Sequence, residues 1–78
     1  MFKFGDCVKY DVDEAYGVAY IIGNMKLADS EQQIPVIANT SFIGMPINQV
    51  FLTLVESGYF DIAKTLRERY ENNFGELA

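Results

Sequence analysis

Two hydrophobic periods divide this chain. Between Phe4 and Val12 the apolar side chains of Val8, Tyr10 and Val12 alternate with Cys7, Lys9, Asp11 and Asp13, the period of a half-buried strand. The polar, glycine-ended segment Asp13-Glu14-Ala15-Tyr16-Gly17 reads as a turn. The β-branched and aromatic run Val18-Ala19-Tyr20-Ile21-Ile22, closed by Gly23-Asn24, then predicts a second strand in a hairpin with the first. Met25 to Ala28 fits a third strand, and Asp29 to Gln33 a further turn. Ile34-Pro35-Val36-Ile37-Ala38 fits a fourth strand, which Pro35, having no amide donor, assigns to a sheet edge. Asn39 to Met45 is a connecting loop.

From Pro46 onward the spacing changes. Ile47, Val50, Phe51, Leu54 and Val55 recur at three- and four-residue intervals, which predicts one apolar stripe on a helix. Pro46 suits the first turn of such a helix, and Gly58 its left-handed end. A second stripe through Tyr59, Ile62, Ala63, Leu66 and Tyr70 predicts another helix. Asp61 begins it, Arg67 and Arg69 stand toward the end that favours cations, and Arg67 is spaced to pair with Glu71. The tail from Asn72 to Ala78 is expected to fray, with Phe74 folding back.

The expected fold is therefore α+β: a small antiparallel sheet of three or four strands followed by a C-terminal helical hairpin. Its 78 residues suffice for a single domain, residues 1–78, with a strand-rich half over 1–40 and a two-helix half over 46–73.

Composition narrows the chemistry. There is no histidine, so the usual general base and the commonest zinc ligand are both missing. Cys7 is the only cysteine, which excludes an internal disulfide and a multi-cysteine zinc site within one chain. Its neighbours Asp6 and Val8 disfavour a thiolate, so a buried strand residue is the better reading. The six glycines are isolated and form no phosphate-binding loop. Asp11, Asp13 and Glu14, with Asp6 nearby, are the densest carboxylate group. They lack the remaining ligands of a calcium loop and read as a solvated hairpin tip rather than a metal site. No enzyme activity, metal or cofactor is expected.

The net charge of −5 opposes direct contact with nucleic acid or an anionic membrane surface. It favours a protein partner with a basic surface. Six phenylalanines and five tyrosines are a generous supply for a core this small. Tyr10 and Tyr20 are expected in the sheet core and Tyr16 at the surface. Tyrosine beside carboxylates suits recognition of Arg or Lys side chains, so the expected contact residues are Tyr16, Asp11, Asp13 and Glu14. The N-terminus lacks the apolar run of a signal peptide and no stretch is long enough to span a membrane. A single unpaired cysteine suits a reducing compartment, and a cytoplasmic location is expected.

Phe4-Gly5-Asp6-Cys7-Val8-Lys9-Tyr10 followed by Gly17-Val18-Ala19-Tyr20-Ile21-Ile22 resembles the first two strands of small SH3-like barrels, where a Gly-Asp pair precedes strand one. The likeness covers under a third of the chain. Glu56 to Ala63 is similar to the turn of many α-hairpins.

The function expected from these residues is a small acidic protein-binding module, for instance a phage-type viral inhibitor or modulator occupying a basic site on a macromolecular target. The alternative is a structural homodimer, joined through the helical hairpin or through the Ile34–Ala38 edge.

Overall fold

The computed structural model describes residues 2–77. Five antiparallel strands form one sheet in the order β4-β3-β2-β1-β5: β1 Cys7–Val12, β2 Ala15–Lys26, β3 Gln33–Ala38, β4 Met45–Pro46 and β5 Leu52–Glu56. One helix, α1, Phe60–Phe74, follows. The α+β class holds. The helical hairpin does not, because the segment after Pro46 is a short strand end, a single 3-10 turn over Gln49–Phe51 and then β5.

The physical reason lies in Leu52, which the three-four spacing leaves off the stripe. Within Val50–Glu56 it is the buried residue, paired across from Tyr10, whereas Val50, Phe51, Leu54 and Val55 are all exposed; of the predicted stripe only Ile47 is buried. A helix would have turned Leu52 away from its neighbours; an extended backbone hydrogen-bonded to β1 turns it into the core. Gly58 does take a left-handed conformation, with φ of 99°, but in the turn between β5 and α1.

β2 is also longer than its sequence suggests. Gly23-Asn24 does not end it; Gly23 instead sits at a bulge where Ile21 pairs with Ile37 and Gly23 with Val36, so that Ile22 has no opposite number. The expected third strand is therefore the end of β2, and the turn begins at Leu27. Pro35 does not mark an edge, since β3 lies between β2 and β4. An amide and carbonyl of one strand residue point the same way. The Pro35 carbonyl accepts from the Ile47 N–H at 3.0 Å, so the proline nitrogen also faces β4, whose ladder reaches only Val36 and Ile37.

Ordinary strand alternation places the adjacent Ile21 and Ile22 on opposite sides of the sheet. Val8, Ala19, Ile21, Ile37, Ile47 and Leu52 form one core with Phe2, Tyr10, Val12, Phe42 and Met45 around it. Ile22, Val36 and Ala38 meet Leu66, Tyr70 and Leu77 on the other face, under α1. The predicted stripe of α1 is partly right: Ala63, Leu66 and Tyr70 are buried, while Tyr59 precedes the helix and Ile62 is exposed.

Arg67 and Arg69 do not act at the helix end, because α1 continues to Phe74. They reach the sheet instead. Arg67 donates to the carbonyl of the bulged Ile22 at 3.3 Å and to that of Leu77 at 2.8 Å, and pairs with Glu71 as its spacing predicts. Glu71 accepts from the Leu77 N–H at 3.0 Å. The tail is thus tied down through Leu77 rather than frayed. Phe74 tilts against Tyr70 yet stays largely exposed.

Candidate functional site

The β1–β2 hairpin is tighter than expected. Val12 pairs with Ala15, so Asp13 and Glu14 alone make the connection. Asp13 has φ of 54°, a left-handed conformation that Asp and Asn adopt more readily than most residues. Both tip residues are exposed.

Just behind the tip, Asp11 pairs with Tyr16, and one step further Lys9 pairs with Val18 after the intervening Tyr10–Gly17 pair. Residues two apart on a strand share a face, so Lys9, Asp11, Tyr16 and Val18 lie together on the sheet face that α1 covers farther along. At 79 % exposure Tyr16 is the most exposed of the large apolar or aromatic side chains among the described residues, and Val18 is about half exposed. Together with Tyr10 and Gly17 these four residues line an open, shallow depression.

Gly17 has a packing role there. A Cβ at that position would lie 2.9 Å from the Tyr10 hydroxyl oxygen, so its absence lets the Tyr10 side chain cross the neighbouring strand. The other face of Tyr10 meets Phe42 edge-on, at 5.9 Å between centroids. Tyr10 and Tyr20 are accordingly half-buried members of the two cores, and Tyr16 is at the surface.

The structure thus brings Tyr16 and Asp11 face to face, with Asp13 and Glu14 at the adjacent tip. It separates Asp6 from them. That carboxylate is buried, and accepts from the Lys3 N–H at 2.9 Å in the turn leading into β1. Three carboxylates therefore stand beside a single cation, Lys9, and among the described residues ion pairs join Lys26 to Glu31 and Arg67 to Glu71 instead. No group of three or more Cys, Asp or Glu side chains converges on a shared cation position among the described residues.

Cys7 offers no accessible nucleophile. Burial raises its thiol pKa, and the Glu56 carboxylate raises it further. Tyr59 nearby is also held protonated, chiefly by the hydrogen bond its hydroxyl donates to Glu56.

Lys9 and Val18 were not singled out from the sequence, although the period-two alternation places them on the Asp11 face once the register is known. A second depression, of about 410 Å³, had no signal at all. The fold brings Phe2, Asn24 and Gln49 against the segment that carries Glu31, Gln32, Gln33 and Pro35.

No protein-family model, no curated protein and no solved structure matches this chain. Among the described residues no helix is long and apolar enough to cross a membrane.

Proposed function

We propose that this protein acts by binding a basic surface of a protein partner through the β1–β2 hairpin tip, with Tyr16 as the anchor and Asp11, Asp13 and Glu14 as the flanking anions. The observation that carries this reading is the exposure of Tyr16 on a paired strand directly opposite a carboxylate. An aromatic ring held in extended backbone presents a π face at little conformational cost, and both the ring and the carboxylates attract Arg or Lys. The backbone pairing on either side preorganises the patch. The net negative charge would steer a cationic partner toward it. Binding rather than catalysis is consistent with a protonated, buried Cys7 and a sequence without histidine. Within this class, an inhibitor or modulator of the phage type, sitting over a cationic site of a larger target, is the role we assign.

The test is affinity capture from a lysate of the source cells with the immobilised wild-type protein and with two variants, Tyr16→Ala and the triple change Asp11→Asn, Asp13→Asn, Glu14→Gln. A specific partner should be held at low salt, be weakened at least about tenfold by Tyr16→Ala as expected of an aromatic anchor, and be released from the triple variant at moderate salt. Equal retention of the same partner by all three proteins would sink the proposal.

A further inference from the structure

Asn24 pairs directly with Pro35 across β2 and β3, and Pro35 stands two residues from Ile37, so both lie on the sheet face of the Ile21 core, away from α1. Beyond that core lies the depression of about 410 Å³, within the roughly 300–1,000 Å³ of small-ligand sites. Buried Pro35 and half-buried Phe2 give it apolar surface, and the side chains of Asn24, Gln32, Gln33 and Gln49 give it four carboxamides. Asn39, Asn48 and Asn73 use their carboxamides to bond backbone groups, whereas those four bond to no other described residue through theirs. The segments that carry them are nevertheless fixed. The Gln32 carbonyl accepts from the Leu27 N–H and the Gln32 N–H donates to the Ser30 hydroxyl, each at 3.0 Å. The Asn48 side chain caps the turn that carries Gln49. Among the described residues Glu31 is the one charged member of the lining, and Lys26 pairs with it at 3.3 Å.

We infer that this depression binds a pyranose sugar. A carboxamide donates and accepts from adjacent atoms, and a sugar hydroxyl also does both, whereas a charged side chain does only one. The lining offers no unpaired cation to an anion, and among the described residues no cluster of carboxylates to a metal. The four carboxamides therefore select a neutral ligand dense in both donors and acceptors. A wholly apolar ligand would strip water from them without replacing its hydrogen bonds. A pyranose ring also has an apolar C–H face, which Phe2 and Pro35 can cover by close packing. A nucleobase, flat and apolar on both faces, matches a lining with a single aromatic ring less well. The site lies across the sheet from Tyr16 and toward the other end of β2, so it is independent of the hairpin tip.

Proton–nitrogen correlation spectra resolve side-chain carboxamide signals. The isotope-labelled full chain is therefore titrated with maltose, with diacetylchitobiose and with adenosine to about 20 mM, enough to detect a millimolar Kd. At least one of the sugars should move the carboxamide signals of Asn24, Gln32, Gln33 and Gln49 together, and adenosine should not. Gln33→Ala and Gln49→Ala, both at exposed positions, should each weaken that binding about three- to tenfold, the worth of one hydrogen bond, with far-ultraviolet circular dichroism unchanged. Binding should be indifferent to salt and to Tyr16→Ala, so this inference and the hairpin-tip reading fail separately. A sugar response together with retention on amylose or chitin resin would assign the ligand to a polymer chain, and a response without retention would assign it to a soluble sugar. No carboxamide response to either sugar, undiminished affinity in both alanine variants, or tighter binding of adenosine would overturn the inference.

Discussion

Cys7 and Tyr59 sit on either side of Glu56, and each keeps its proton to higher pH than it would in an unfolded chain. For Cys7 the larger cause is burial and the second is the Glu56 charge; for Tyr59 it is the hydrogen bond to Glu56, then that carboxylate's charge. A group whose folded pKa is raised contributes its stability fully below its unfolded value and loses it as the pH rises through the folded one. Stability should consequently be flat through neutral pH and fall on the alkaline side, beginning near the ordinary thiol and phenol values of about 8.5 and 10. Urea midpoints taken from pH 7 to pH 11 would show the fall, and Tyr59→Phe should flatten its upper part. In the same way the native thiol should react with a maleimide or alkyl iodide at pH 8 far more slowly than the thiol of urea-unfolded protein. Equal rates would mean that the Cys7 thiol is open to solvent in the native protein.

At the scale of elements, α1 is fastened to the sheet by more than its apolar stripe. Arg69 donates to the carbonyls of Asn39 and Phe42 at 2.6 and 2.7 Å, holding the loop after β3 against the helix. Hydrogen bonds from a charged donor are worth about 1.5–3 kcal/mol each in net terms. Arg69→Leu should therefore lower the unfolding free energy by roughly 2–4 kcal/mol, allowing for partial loss of both bonds. Denaturant titration would measure it, and a change under about 0.5 kcal/mol, the usual scatter for surface substitutions, would show that the contact is incidental.

The sequence announces α1 well and these arginine contacts not at all. The helix is legible because Ala63, Leu66 and Tyr70 obey its period over several turns. Arg67 reaches the Ile22 carbonyl 45 residues away and Arg69 those of Asn39 and Phe42, 30 and 27 residues away, and no local pattern encodes these targets. β1 and the first half of β2 are equally legible, since Val8, Tyr10 and Val12 face the core as alternation requires. β5 is the element that misleads. An apolar run as dense as Val50-Phe51-Leu52-Thr53-Leu54-Val55 contains a three-four spacing by chance, and the deciding fact, that Leu52 finds Tyr10 across a ladder, belongs to tertiary structure. Of the candidate site, the exposure of Tyr16 and the acidic tip were legible from turn chemistry. The pairing of Tyr16 with Asp11 needed the two-residue hairpin, and so did the placing of Lys9 and Val18 beside them.

For the whole molecule, one sheet serves two cores, and strands β2 and β3 belong to both. Ile21 and Ile22 are each fully buried, on opposite sides. Cutting either back to alanine should cost about 2–5 kcal/mol, a large share of the 5–15 kcal/mol typical of whole domains. Because the cores share these strands, both variants should still unfold in one step. Far-ultraviolet dichroism and tyrosine fluorescence should give coincident transitions for each; two separated transitions would show that the helix-side core can melt alone.

The extra residue at the β2 bulge has a genetic corollary. An in-frame loss of the Ile22 codon would leave Ile21 opposite Ile37 and Gly23 opposite Val36 in an unbroken ladder, but it would empty a fully buried position under α1 and pull at the carbonyl that Arg67 holds. The same loss at Ser30, in the exposed turn between β2 and β3, would merely shorten a loop. Length variation in descendants of this gene should accumulate at the second place and be purged at the first.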